Sequence, residues 1–288
     1  MLKADSNRAS TRPRPFASIP KLKYRSRVRL IAGRLYYTLR RYMKWYLGTA
    51  VKYATLRQNP PLPEVVFTHS TPLFRQLRGV DMWLQHNKVV NLRLAVKKLD
   101  GVVIMPGETF SYWKLIGMPT RGKGYKEGMV LHSGTFRPGT GGGLCQLSNL
   151  IYWMTLHTPL TVTERYRHGY DVFPDTGRTQ PFGSGATCVH NYVDLQLHND
   201  TREPFQLCVH LTDTDLIGEW RTTRALDYSY EIYEKEHSIR QEFWGGYVRQ
   251  NTVFRRRYDI DGELVADEHV TSNVAIMMYE PFLTAGHS

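Results

Sequence analysis

The sequence predicts an α+β protein with a basic helical arm, a mixed core and a β-rich tail. The core is organised around one central helix that follows a glycine-rich loop. Three observations carry this reading. Apolar residues recur at three- and four-residue steps through residues 25–57. Gly141-Gly142-Gly143 runs straight into a second such pattern. After Trp220, short β-prone stretches alternate with turn signals. The expected units are therefore 1–60 (basic tail and amphipathic helix), 61–220 (core) and 221–288 (small antiparallel extension).

The 288 residues are 41% hydrophobic and 12% aromatic, enough for a packed core and unlike a disordered chain. The net charge of +12 is unevenly placed. Met1–Gln58 holds fifteen Lys and Arg against one acid, Asp5, and the next acid is Glu64. The rest of the chain is slightly acidic, so the basic character belongs to the arm. Cys145, Cys188 and Cys208 are too few and too scattered for a disulfide framework, and an odd number suits a reducing compartment. Met1–Pro20 is polar and broken by proline, with no apolar signal core, and no run of eighteen apolar residues occurs. The expectation is a cytoplasmic protein, soluble or peripheral at the inner face of the membrane.

Residues 1–20 read as a flexible tail and 25–57 as one long helix. Leu30, Ile31, Leu35, Tyr36, Leu39, Met43, Tyr46 and Leu47 recur at helical spacing, while Arg27, Arg34, Arg41 and Lys44 fall mostly on other faces. Gln58–Pro63 stops it. Residues 21–57 have two readings. One is a helix on an anionic membrane surface, aided by Trp45, Tyr36, Tyr37, Tyr42 and Tyr46. The other is a helix packed on the core with a solvated basic back. No recognition motif accompanies the charge, which disfavours nucleic acid.

In the core, Asn91–Leu99 reads as helix, Val102–Met105 as strand, Pro106-Gly107 as a turn and Met129–Phe136 as a hairpin around Ser133-Gly134. Residues between Phe67 and Asn91 give no clear period. Leu144–His157 is the central helix, with Leu147, Leu150, Ile151 and Met154 as its apolar stripe, ended by Pro159. Cys145, Ser148, Asn149 and Tyr152 cluster on its other side. Leu160–Glu164, Val193–Leu197 and Phe205–Leu211 read as strands. Tyr228–Tyr233, Tyr247–Phe254 and Val270–Met278 read as the tail sheet.

A cysteine in the first turn of a helix is biased toward thiolate. Cys145 is therefore a candidate nucleophile, with His168 as its base, Glu108 or Asp194 to orient the imidazole, and the Gly143 and Leu144 N–H groups as oxyanion donors. Such a set performs acyl transfer or amide hydrolysis. The bland alternative is a cysteine packed as a small apolar residue. The same loop can instead cradle an anion on Gly141, Gly142, Gly143 and Leu144, with Gln146, Ser148, Asn149 and Arg165 or Arg137 around it. No Gly-Lys-Ser/Thr follows, so this is not a P-loop, and three glycines also suit a tight turn. Cys188-Val189-His190 offers two zinc-ligand types but lacks paired CxxC spacing, so no metal or cofactor is expected. Asp259, Asp261 and Glu263 fit a hairpin turn better than a calcium loop.

An ordered series of motifs runs through the core: Pro106-Gly107-Glu108-Thr109-Phe110-Ser111, Gly124-Tyr125-Lys126-Glu127-Gly128, and Gly141 through Leu150. It continues with Leu156-His157-Thr158-Pro159-Leu160-Thr161, Glu164-Arg165, His168 and Asn199-Asp200-Thr201. In this order the motifs resemble the VanW family. The resemblance spans roughly Phe67–Trp220. It implies a link to bacterial cell envelopes and glycopeptide resistance. Relatives often carry a second histidine two residues before His168, where this chain has Tyr166, so a mechanism needing both does not apply. Two functions follow as expectations. The first is a cysteine-dependent enzyme acting on a peptidoglycan-related peptide. The second is a non-enzymatic protein that binds an anionic ligand or partner and is held at the membrane by its arm.

Overall fold

A computed structural model describes residues 26–74, 81–132, 134–172, 180–190 and 193–281. The polar stretch 1–20, the start of the arm before Ser26 and Ser133 of the expected hairpin turn lie outside the described residues.

Ser26 caps the first helix, α1 (Arg27–Tyr46), its side chain accepting from the Arg29 N–H. The helix is shorter than its periodicity suggests. A Cβ on Gly48 would sit 2.8 Å from the Lys44 carbonyl oxygen. Beyond it, Lys52–Tyr53 (β1) is drawn into parallel pairing with Glu108–Thr109. Tertiary pairing therefore overrides helix propensity there, and Tyr53 and Ala54 join the core.

Glu64–Pro72 forms β2 and Met82–Leu99 forms α2. The second helix stops at Asp100-Gly101, where Gly101 takes φ +80°. Val102–Ile104 (β3) and Glu108–Ser111 (β4) follow, then the short helix α3 (Tyr112–Ile116), capped by Ser111. Glu127–His132 and Thr135–Thr140 (β5, β6) make the expected hairpin. Cys145–Leu156 is α4. Thr161–Glu164 (β7), Tyr170–Asp171 (β8), Gln196–His198 (β9), Phe205–Leu211 (β10) and Asp215–Thr222 (β11) complete the core range. Three long strands end the chain: Ser229–Gln241 (β12), Tyr247–Tyr258 (β13) and Leu264–Met277 (β14).

Among the described residues the strands form sheets ordered β1-β4-β9-β7, β2-β11-β10-β3 and β12-β13-β14-β8, beside the β5-β6 pair. The tail sheet thus takes its fourth strand from residues 170–171. At the turn between β13 and β14, the Asp259 carboxylate accepts from the N–H groups of Asp261 and Glu263, a hairpin turn.

Helix α4 is buried on nearly all sides. Leu147, Leu150, Ile151 and Met154 pack into the core as the periodicity requires. The opposite face is also covered, by residues 183–188. Ser148 Oγ donates to the Ala186 carbonyl at 2.7 Å, and Asn149 Oδ1 accepts from the Ala186 N–H at 2.8 Å. A helix apolar on one stripe and small or polar on the other accepts a loop along its second face.

Candidate functional site

The glycine loop is built for backbone contact. A Cβ on Gly142 would overlap the Gly128 carbonyl, because strand β5 crosses the loop at backbone distance. Gly143 takes φ +88°, which sets up the αR conformation of Leu144 that opens α4. All three glycine N–H groups are spent. Gly141 donates to the Lys126 carbonyl (3.0 Å), Gly142 to Gly139 (3.0 Å) and Gly143 to Met129 (2.9 Å). The loop therefore presents no converging row of free donors to an anion, and Gly143 is unavailable as an oxyanion donor.

Cys145 is the first residue of α4. Its sulfur lies 3.9 Å from the Cys188 carbonyl oxygen. Tyr112 and Cys188 are close enough to interact electrostatically with it, and Tyr112 OH donates to the Leu144 carbonyl at 2.9 Å. Burial pushes the Cys145 thiol above its ordinary range, overcoming the hydrogen bonds that favour thiolate. The helix start thus does not ionise this sulfur. Iodoacetamide at neutral pH should label Cys145 no faster than Cys208, whose thiol burial raises to about 11. Peptide mapping after timed labelling reads this directly. Preferential alkylation of Cys145 below about pH 8 would restore an activated thiol.

His168 lies between Tyr166, which bridges to Thr187, and Tyr170, which pairs with Ile276. Burial first, and then neighbouring Arg167, hold its imidazole below the usual range. Among the described residues no hydrogen bond joins it to Cys145. Glu108 serves elsewhere: its carboxylate pairs with Lys52 at 3.1 Å and accepts from the Met105 N–H at 3.2 Å. Gln146 ties α4 to the end of β2, donating to Thr71 Oγ1 (2.9 Å) and the Pro72 carbonyl (3.0 Å).

Arg165 acts as a clip. It donates to the carbonyls of Gly183 and Gly185, reaches Thr271 Oγ1 of β14 at 3.1 Å, and lies 4.6 Å from the Tyr152 ring centroid. Asp194, fully buried, accepts from Ser111 Oγ (2.6 Å), the N–H groups of Trp113 and Leu195 (both 2.9 Å) and Gln196 Nε2 (3.1 Å). Among the described residues no three His, Cys, Asp or Glu side chains are grouped to hold a metal, Cys188 and His190 included.

Packing of the arm on the core, one of the two sequence readings, occurs through contacts that the sequence did not name. Arg41 forms a two-pronged ion pair with Glu164, and Trp45 is buried beside Tyr42. Lys114 donates to the Trp45 carbonyl at 2.8 Å. Two surface clefts, of about 310 and 220 Å³, are lined by neither Cys145 nor His168.

The family model described as "VanW like protein" matches residues 87–221, from within α2 to the end of β11. Over 180 residues the chain is 40% identical to Vancomycin B-type resistance protein VanW of Enterococcus faecalis (strain ATCC 700802 / V583). The chain belongs to the VanW family. That alignment covers 62% of this chain and 66% of the enterococcal relative, so just under two thirds of that protein is represented. YoaR of Bacillus subtilis (strain 168) is 33% identical over 114 residues, 40% of this chain and 36% of YoaR. No solved structure matches the chain. The VanW match includes the glycine loop, α4 and Asp194 but leaves α1 and the three tail strands outside it.

Proposed function

We propose that this chain serves glycopeptide resistance, the role named in its enterococcal relative, as a binding protein seated on an anionic membrane surface by α1. The observation that carries the reading is the exposed apolar stripe of that helix. At 100° per residue, Val28, Ile31, Leu35, Leu39 and Tyr46 project along one side. All are exposed, Leu35 by 66% and Leu39 by 63%. Arg29, Arg40 and Lys44 flank this stripe on one side, while Arg27 and Arg34 share the azimuth of Arg41 and Trp45, with no acid in the helix. Arg41 and Trp45 occupy the face turned to the core, so the docked helix still offers its apolar side outward. Apolar residues bordered by cations, with Tyr36, Tyr37 and Tyr46 among them, match the headgroup zone of an anionic leaflet. No helix of the described residues is long and apolar enough to cross a membrane.

Binding is favoured over thiol catalysis because the raised Cys145 thiol, the spent glycine N–H groups and the engaged Arg165 leave no assembled acyl-transfer centre among the described residues. Sedimentation with phosphatidylglycerol-containing vesicles tests the reading. The wild type should bind these far better than neutral vesicles, and added salt should weaken binding. Leu35→Glu with Leu39→Glu should cost about 3 kcal/mol or more, roughly a hundredfold in affinity, and should abolish any contribution to glycopeptide tolerance. Equal partition to neutral and anionic vesicles, or to neither, rejects it. A steeper response to DNA than to lipid would move the partner to nucleic acid.

A further inference from the structure

The segment 183–188 lies along the second face of α4 in a fixed register. The Ala186 N–H donates to Asn149 Oδ1 at 2.8 Å, and the Ala186 carbonyl accepts from Ser148 Oγ at 2.7 Å. On either side of Cys188, the Thr187 N–H donates to the Tyr166 carbonyl (2.8 Å) and the Val189 N–H to the Val193 carbonyl (2.9 Å). The backbone at residue 188 is therefore held from both ends. Burial alternates through the segment: Ser184, Ala186 and Cys188 are buried, Gly185 and Thr187 less so. Cys188 thus turns its side chain the same way as Ala186, toward the helix. Two strand residues advance about 6.7 Å and one helical turn about 5.4 Å. With Ala186 opposite Ser148 and Asn149, Cys188 comes opposite the preceding turn, where Cys145 stands. The contacts agree with this register. Cys145 Sγ lies 3.9 Å from the Cys188 carbonyl oxygen. The Cys188 thiol is within hydrogen-bond reach of Ser148, three residues from Cys145 on the same helix face, and Tyr112 is near both sulfurs. Cys208, on β10, has Asp100, Arg221 and Glu219 around it instead.

We propose that Cys145 and Cys188 are a thiol–disulfide exchange pair, which a small-molecule disulfide converts to an intramolecular disulfide that staples residues 183–188 to α4. Cys145 is the more open of the two, half-buried where Cys188 is 7% exposed, so exchange enters there. The Cys145 thiolate attacks one sulfur of the small disulfide, forming a mixed disulfide and expelling one small thiolate. The Cys188 thiolate then attacks Cys145 Sγ, closes the protein S–S bond and expels the second. Two electrons pass from the protein thiols to the small disulfide, and the two cysteine protons end on the two released thiols. Burial raises both thiols, and neighbouring Asp194 and Glu164 further oppose charge on Cys188. Exchange is therefore slow at neutral pH and quickens toward about pH 9. The surroundings that resist the thiolates suit the product, since a disulfide carries no charge to desolvate. Hydrogen bonds from Ser148 and Arg165 hold the cover on α4 in the dithiol state, and the oxidised state adds a covalent bond at its end. None of this depends on α1 or on lipid, so disulfide formation and vesicle binding can fail separately.

The test is overnight incubation of the full folded chain with millimolar oxidised glutathione at about pH 8, then quenching with N-ethylmaleimide and peptide mapping without reduction. The expected product links the Cys145 and Cys188 peptides, leaves Cys208 outside any intramolecular bond and reverts with dithiothreitol. The linked form should melt about 5 °C or more above the dithiol form, because the bond closes a long loop in the unfolded chain. Cys145→Ala and Cys188→Ala should each stop at a glutathione adduct or a free thiol, with no gain in melting temperature. Should either variant fail to fold, the wild-type peptide map and melting shift decide alone. No linked peptide from the folded chain overturns the proposal. So does a link that forms only in denaturant, a bond from Cys208 to either partner in the folded chain, or a linked form that melts no higher than the dithiol.

Discussion

Gly142→Ala should destabilise the protein by about 3 kcal/mol or more, with the β5–β6 hairpin lifted from the start of α4. The added methyl would have to occupy the space of the Gly128 carbonyl, and neither backbone can retreat. Asn91 Nδ2 donates to the Gly142 carbonyl at 2.9 Å and to the Lys126 carbonyl at 3.1 Å, tying the residues on either side of the hairpin to α2. Chemical denaturation measures the loss. Exchange of the amide of Gly143, bonded to Met129, reports whether the hairpin has moved. Near-wild-type stability would mean that the close crossing is not required, and the loop would again be free to serve a ligand.

Asp194→Ala should cost about 4 kcal/mol or more, because four buried donors lose their acceptor together. Asp194→Asn keeps an acceptor oxygen and should be milder. Burial is the main force raising this carboxyl from 3.8 to about 6, against the pull of its donors. The folded state therefore holds the proton more tightly than the unfolded chain. That contribution to stability is complete below the unfolded value and is lost as pH rises through about 6. Relative to Asp194→Asn, the wild type should lose melting temperature between pH 4 and pH 6. His157 and His190, both lowered to about 4 by burial, act oppositely in the same window, since their stabilisation fades as pH falls. The paired comparison cancels them. Parallel pH curves for the two proteins would place the Asp194 carboxyl in its ordinary range.

Where local sequence decided the structure, it was readable. Leu147, Leu150, Ile151 and Met154 marked the buried stripe of α4, and Phe205–Leu211 marked β10 to the residue. The α+β class followed from such segments, with helices and strands both abundant. Long-range partners were not readable. Gly48 ended α1 early, and Lys52–Tyr53 became a strand only because β4 lay beside it. Asp215–Thr222 alternates buried and half-buried residues, but Gly218 and the charged Glu219 and Arg221 masked it as a strand. At the site, the loop, the helix start and Cys145 were placed in order along the chain. The closing of residues 183–188 over that face depended on Arg165, Ser148 and Asn149 finding backbone partners about twenty to forty residues away. No periodicity records such pairings. His157, expected to be structural or on the surface, is a packed ring held between Phe67 and the Tyr230 carbonyl, partners that no local pattern names.

Arg165 also makes the molecule mechanically continuous. One guanidinium spans the carbonyls of residues 183 and 185, the hydroxyl of Thr271 and the ring of Tyr152. A load applied to the long tail strands would be felt at β14, passed through that cation, and delivered to the middle of the central helix. Strain in the tail would thus reach residues 183–188, which hold the Cys188 carbonyl against the Cys145 sulfur.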